Sequence, residues 1–330
     1  MGEPRVTPVD PRLFVARTRP PRSDDPRLGE VARGLGARSD VPAGAIVLLG
    51  VPDDRGIVAS GGRAGAAEGP RAFREAFYRL PLGPANDLAA PAIYDAGDCL
   101  PAGSIAATHE RVAECVARLA KHATTIVIGG GHDIAYGTCK GLRAVHRQLG
   151  AINIDAHLDV RPPEADGGIG SGTAFRRLLE EGILRGPDLA AFGIQPHAVA
   201  TAHWAYARER GMRVWEWAEC AAAGPDRIFE GLLADLGRDG RRVAISFDLD
   251  AIRAAEAPGV SAPAPIGLSA ETALRLMQCA GHAAGVCHVE FMELSPPHDA
   301  HGLTARLAAV LCWHFCAARS RARQGKGSSA

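Results

Sequence analysis

Three short segments of the chain carry His and Asp at spacings suited to holding divalent cations. They read IVIGGGHDIAYG, with His132; AINIDAHLDVRP, with Asp155, His157 and Asp159; and VAISFDLDAI, with Asp248 and Asp250. In each, the polar residues follow an apolar run of strand character. Ligands of a parallel sheet gather beyond the carboxyl ends of its strands, so the three segments would deliver their side chains to one crevice. Strand side chains alternate faces with a period of two. On that spacing Asp155, His157 and Asp159 point the same way if the extended run continues, and Asp248 and Asp250 do likewise. Carboxylates buried together repel one another, and each is costly to desolvate. Bound divalent cations are the natural remedy. Two His and four Asp with no Cys nearby form a hard, oxygen-rich set that favours Mn²⁺ over Zn²⁺, Ni²⁺ or Fe²⁺. Six ligands suit two ions with bridging carboxylates, a pair that sits about 3.5–4 Å apart and activates a shared water. GGGHD by itself could be a phosphate-binding turn, but it has neither the Lys nor the GxGxxG pattern of one.

The elements that must position these residues alternate in type. Apolar runs at 45–51, 124–128, 151–154, 189–194, 212–215, 242–247 and 285–292 read as strands. Helical patterns fall at 69–80, 109–122, 134–149, 173–181, 198–210, 225–236, 270–283 and 303–318. Strands alternating with helices predict an α/β fold with a mostly parallel sheet covered on both faces. Residues 1–42, rich in Pro, Arg and Asp, read as an N-terminal arm or loop. Residues 43–319 read as a single domain and 320–330 as a flexible tail.

Composition narrows the class. The 330 residues include 37 basic and 37 acidic ones, for a net charge of zero, which gives a nucleic-acid or membrane-surface role no support. Hydrophobic residues at 47% and charged residues at 22% are those of a soluble globular protein. No uncharged apolar stretch reaches about 18 residues, so no membrane span is expected. The first residues lack the apolar core of a signal peptide. Eight Cys, none in a CxxC pair, fit reduced thiols in a cytoplasm, with Cys312 and Cys316 facing a core.

On these motifs the chain resembles the ureohydrolases: arginase, agmatinase, formimidoylglutamase and their relatives. The likeness covers nearly the whole chain from Val47 to Arg319. It implies an arginase-like three-layer α/β/α sandwich, two Mn²⁺ per subunit, and a trimeric or hexameric homo-oligomer. It implies metal ligation by His132, Asp155, His157, Asp159, Asp248 and Asp250, all intact. Glu293, in HVEFMELSPPHD, matches the acidic residue that faces the amidine or guanidine, a planar cation able to give a carboxylate two parallel N–H bonds.

The segments GRAGAAEGPRAFR, SGTAFR, APGVSAPAPIGLS and ELSPPHDAHGLTARLAA resemble the formimidoylglutamase branch in particular. Arg161 stands where arginases have an Asn that contacts the amino-acid end of the substrate, and would pair with a carboxylate. Ser171 stands where agmatinases have His, and Phe175 where arginases have a catalytic-site His; the resemblance places both in the substrate pocket. Two features depart from that branch. FRRLLEEG looks agmatinase-like, and the SxDxDxxDP pattern is broken at Arg253 and Ala254.

The resemblance thus implies hydrolysis of N-formimino-L-glutamate to glutamate and formamide, in histidine degradation, with Asp159 as proton relay and Glu293 orienting the amidine. The alternatives are an agmatinase-like or guanidino-acid ureohydrolase that releases urea, and a non-catalytic metal-binding assembly protein. His197, His203, His288, His298 and His301 read as surface or core histidines. Trp215 and Trp217 read as packing residues, and Arg63 and Asp98 as structural residues in loops.

Overall fold

The structure, a computed structural model, describes residues 6–8, 24–35, 41–84, 88, 93–163 and 168–327. In chain order the elements are β1 (Val6–Thr7), α1 (Leu28–Val31), β2 (Arg33–Gly34), β3 (Ile46–Gly50), α2 (Arg55–Ala59), α3 (Gly69–Phe77), β4 (Ile93–Cys99), α4 (Ile105–Ala120), β5 (Thr124–Ile128), α5 (Ile134–Val145) and β6 (Leu149–Ile154). They continue with α6 (Ala174–Glu180), β7 (Leu189–Ile194), α7 (Thr201–Glu209), β8 (Arg213–Glu216), α8 (Trp217–Ala223), α9 (Pro225–Leu236), β9 (Arg242–Asp248), α10 (Ala270–His282), β10 (Val286–Met292) and α11 (Leu303–Gly327).

All the strands join one sheet in the order β1-β4-β3-β5-β10-β9-β6-β7-β8, with β2 also on β4. Every pairing is parallel except β1 with β4. Parallel strands need helical crossovers, which cover both faces, so the strand interiors are apolar on both sides. Alternation then sorts the residues between two cores. Ile46, Leu48, Ile126, Ile152, Ile154 and Phe291 pack on one face with Phe73, Phe229, Leu276 and Phe315 from helices α3, α9, α10 and α11. Val47, Leu49, Val127 and Ala151 pack on the other with Val112, Leu142, Phe175 and Ala207 from α4, α5, α6 and α7. This is the expected three-layer α/β/α sandwich. Cys312 and Cys316 are both buried in the first core, and Trp215 and Trp217 pack against its margin.

Several elements differ from the sequence expectation, each for a local reason. The residues of the 1–42 arm that are described do more than form a loop, because β1 and β2 both pair with β4. The predicted frayed tail from residue 320 is helical through Gly327 as the end of α11. Arg319 anchors that stretch, donating to the carbonyls of Ala280, Ala283 and Val286 at 2.9–3.2 Å. Helix α4 begins at Ile105 rather than 109 because the Ser104 side chain caps the Ala107 N–H at 3.1 Å.

Strand β4 was not predicted, and Asp98 lies on it rather than in a loop. Its sequence, IYDAGDC, carries two acids and a glycine, a poor strand signature. Asp95 is nonetheless buried, because Arg74 of α3 donates to it from Nε at 2.8 Å and Nη2 at 3.0 Å. Arg74 also reaches Asp98 at 2.6 Å and the Gly97 carbonyl at 2.9 Å, while the Tyr78 hydroxyl donates to Asp95. Truncating one side of a buried, hydrogen-bonded ion pair strands the other charge, at a cost of about 3–5 kcal/mol. Arg74→Ala should therefore lower the unfolding free energy of metal-free protein by that amount in denaturant titration. A loss below about 1 kcal/mol, the range of a surface pair, would refute the role.

Candidate metal centre and substrate cleft

Four central strands, β5, β10, β9 and β6, end level with one another. Ile128 pairs with Phe291, Phe291 with Phe247, and Phe247 with Ile154, a single row across the sheet. Just beyond this row lie His132 after β5, Glu293 after β10, Asp248 and Asp250 at the end of β9, and Asp155, His157 and Asp159 after β6. The predicted crevice at the strand ends is thus one place, built from adjacent strands.

The backbone route into it differs from the expected extended run. The chain bends immediately after Ile154, and Asp159 takes a left-handed φ of 50°. Asp250 lies in the 3-10 turn Leu249–Ala251, its N–H donating to Asp248 Oδ1 at 2.8 Å. The His157 N–H likewise donates to Asp155 Oδ1 at 2.6 Å. Convergence therefore comes from tight turns, not from strand alternation. Gly130 lets the first loop approach: a Cβ there would meet the Asp53 carbonyl at 2.0 Å. That loop is pinned by hydrogen bonds from Gly130 N to Val51 O and from Glu293 N to Gly130 O, both at 2.9 Å.

The six expected ligands form two overlapping groups. His132 Nδ1 lies 3.2 Å from Asp155 Oδ2, 3.1 Å from Asp159 Oδ2 and 3.1 Å from Asp248 Oδ2. His157 Nδ1 lies 3.3 Å from Asp155 Oδ1 and 3.1 Å from Asp250 Oδ2. Asp155 belongs to both groups, one oxygen to each, as a carboxylate bridging two ions would.

The hydrogen-bond network behind His132 identifies which of its nitrogens is free. Ser246 donates its one proton to Glu290, so its oxygen accepts from His132 Nε2–H, 2.8 Å away. Glu290 is in turn held by His288 Nε2 at 3.0 Å, and His288 Nδ1 meets the Thr125 hydroxyl at 2.7 Å. Nδ1 of His132 is left as a lone pair, fully buried, with no hydrogen-bond partner, among three carboxylate oxygens. Such an atom needs a cation beside it. The donor set, two imidazole nitrogens and carboxylate oxygens, fits a pair of divalent ions.

Titration behaviour points the same way. Burial, with the neighbouring carboxylates, pushes Asp159, Asp248 and Asp250 above the usual carboxylate range. Burial opposes charge on Asp155 too, but the rings of His132 and His157 outweigh it and hold that carboxyl low. Asp250 drives the His157 ring upward, and the surrounding aspartates raise His132 against its burial. Left to itself the cluster gathers protons, and divalent cations would displace them.

Glu293 sits at the edge of this centre, 3% exposed, at a left-handed φ of 67°. Its Oε1 accepts the His132 N–H at 2.9 Å, and its Oε2 accepts the Ser261 hydroxyl. Burial pushes its pKa up to about 8 in the metal-free centre, so a cation that pairs with it must first displace a proton. Arg63 holds the loop of Ser261, donating to the Val260 carbonyl at 2.6 Å and the Ser261 carbonyl at 3.1 Å, so its expected structural role has a specific object.

A small cleft of about 110 Å³ opens onto the centre. His157, Asp159, Asp248, Asp250 and Glu293 line it together with Arg161 and Ser171. Phe175 does not line it. That ring is fully buried in α6, edge-on to the His132 ring with centroids 5.5 Å apart, and it braces the ligand from behind instead of meeting substrate. His203, read from the sequence as a surface or core residue, does line the cleft, as do Ser60 and Ser261. His197 and His301 are exposed, and His298 bonds the Ala64 carbonyl at 3.1 Å. Ser246 and Glu290 escaped the sequence reading although a signal existed, and His288, expected as a surface or core histidine, is a buried one that holds Glu290. Ser246 precedes Asp248 by two, and His288 and Glu290 share one face of β10, as period two requires.

Metal content should report this architecture directly. Asp250→Ala should cut the tightly held divalent metal to about one ion per chain or fewer, measured by elemental analysis after dialysis. Retention in the unaltered protein should fall as pH drops, because each ligand atom must shed its proton to bind. Full loading of the variant would contradict the two-group arrangement.

Comparison with known proteins agrees with the geometry. The model of the Arginase family matches residues 44–317. The chain is 36% identical over 273 residues to a formimidoylglutamase of Geobacillus thermodenitrificans, covering 81% of this chain and 82% of that protein. It is 34% identical to one of Rhodococcus jostii, with coverages of 81% and 84%. A crystal structure of Trypanosoma cruzi formiminoglutamase with Mn²⁺ superposes with a TM-score of 0.80 at 34% identity, over 90% of this chain and 99% of that one. The formimidoylglutamase of Bacillus subtilis superposes with a TM-score of 0.85 at 25% identity, over 92% and 94%. With its strand-end ligands, its sheet and its sequence in agreement over this span, the chain belongs to the arginase family.

Proposed function

We propose that the protein hydrolyses N-formimino-L-glutamate to L-glutamate and formamide with two Mn²⁺ ions. The observation that carries this reading is the polarity of the cleft. A carboxylate, Glu293, stands beside the ligand cluster, and an arginine, Arg161, lines the same cleft. A substrate with an amidinium at one end and a carboxylate at the other is complementary to that pair. The names of the relatives described above support the same substrate.

His132, Asp155, Asp159 and Asp248 would hold one ion, and Asp155, His157 and Asp250, with Asp248 beside them, the other. The bound pair would supply Lewis acidity and lower the pKa of a water held in the centre. Glu293 accepts N–H bonds from the amidine and fixes its carbon at the centre. Asp159, exposed to the cleft, passes a proton to the glutamate nitrogen as the C–N bond breaks. Phe175, packed against His132, excludes water from behind. Arg161 binds carboxylate and opposes a cationic tail. The oxygen-rich donor set supports Mn²⁺. No helix among the described residues is long and apolar enough to cross a membrane. A cytoplasmic setting and a trimeric or hexameric assembly belong to the same proposal.

Incubating Mn²⁺-loaded protein with N-formimino-L-glutamate should release glutamate and formamide in equal amounts, and chelation should stop it. No release from metal-replete protein, with urea formed from a guanidino compound, would move the assignment to a ureohydrolase. Glu293→Gln removes the charge that pairs the amidinium and should lower kcat/KM about 100-fold while metal content holds. Activity within about threefold of the unaltered protein would rule Glu293 out of that role.

A further inference from the structure

The cleft carries more anion-binding capacity than one carboxylate uses. Among the described residues the Arg161 guanidinium has no hydrogen-bond or ion-pair partner, although it offers five donors. Its backbone N–H is tied to the Gly172 carbonyl at 2.8 Å. Its stem lies against the Gly172 Cα: a Cβ at that position would come within 2.9 Å of Arg161 Cδ and 3.2 Å of Nε. Glycine at 172 therefore lets the arginine lie along the wall, reducing the rotamer freedom it would lose on binding. His203, on the first turn of α7, lines the same cleft, and its ring has no hydrogen-bond partner among the described residues. The other nearby cation is engaged elsewhere, since Arg176 bonds Glu180 at 2.8 Å and stacks over the Tyr206 ring at 4.1 Å. Burial and these two guanidinium groups push the His203 pKa down. A neutral imidazole can still donate one N–H to a carboxylate without placing a second cation beside Arg161.

We propose that Arg161 and His203 together form a cradle that reads the two carboxylates of a dicarboxylic amino acid, with Gly172 as the residue that positions Arg161. The idea rests on the functional reading above and assigns the second carboxylate of that substrate to a named residue, His203, and the placing of Arg161 to Gly172. One arginine pairs bidentately with a single carboxylate. A second carboxylate in the same small cleft needs another donor, and His203 is a cleft residue with one to spare.

The test compares calorimetric binding of L-glutamate and L-glutamine, which differ only in the side-chain carboxylate, to the metal-loaded protein. The unaltered protein should prefer glutamate by about tenfold, the worth of one charge-assisted hydrogen bond. His203→Leu should remove that preference and His203→Gln, which keeps a donor, should retain it. Gly172→Ala should weaken glutamate binding as much as Arg161→Ala does, and the double variant should be no weaker than Arg161→Ala alone. The three atoms nearest the added methyl group all belong to the flexible Arg161 side chain, so unchanged metal content and unfolding midpoint should accompany the loss. No preference in the unaltered protein, or a preference surviving His203→Leu, overturns the cradle. Additive effects at 161 and 172 overturn the positioning role. Because binding is read without turnover, failure to hydrolyse formiminoglutamate would count against the functional reading alone.

Discussion

The mutual repulsion of carboxylates is the constraint around which this molecule is organised. Asp155, Asp159, Asp248, Asp250 and Glu293 are gathered at one end of a sheet with only two imidazoles among them. Such a group in a low-dielectric crevice is tolerable only with positive charge supplied from outside the chain. Protons meet part of the need, as the upward drift of three aspartates indicates. Divalent cations meet it well, and their removal leaves a destabilising cluster rather than an idle one.

The scaffold concentrates its strength where that repulsion acts. The four strands that deliver the acids are neighbours, end in one row and are flanked by apolar cores on both faces. Two of the functional acids, Asp159 and Glu293, occupy left-handed backbone conformations that non-glycine residues rarely adopt. Backbone strain of this kind costs about 1–3 kcal/mol per residue and persists only where the surroundings over-determine it. Here the Gly130 loop and the turns after β6 and β9 provide that restraint. The chain of hydrogen bonds from Thr125 through His288, Glu290 and Ser246 to His132 performs a related task. It fixes one imidazole tautomer and turns the bare nitrogen toward the centre, as partners of a metal ligand commonly do.

Much of this was legible in the sequence. The apolar strands, the helices between them and the three motifs at strand ends were all visible, because period and residue type are local properties. The candidate ligand set was legible for the same reason: His132, Asp155, His157, Asp159, Asp248 and Asp250 each stand in a short stretch whose neighbours declare a strand and its end. What escaped depended on partners far along the chain. Strand β4 looks unlike a strand until Arg74, on a separate helix, is seen to neutralise its buried Asp95. Phe175 was expected to meet substrate, and only packing reveals that it lies edge-on behind His132. His203 was indistinguishable from a surface histidine until its helix was placed on the cleft.

By itself, the sequence determined the kind of chemistry, since a set of hard ligands with no nearby thiols restricts the metal and the metal restricts the reaction. It determined the layer architecture as well, through strands apolar on both faces separated by amphipathic helices. Tertiary structure alone decided which carboxylate oxygens face which imidazole, which His132 nitrogen is free and which side chains line the cleft. Each of those depends on turn geometry and on the register between strands more than a hundred residues apart, such as β5 and β10. Local propensity carries no information about distances of that kind, which are settled only when the whole sheet closes on its two cores.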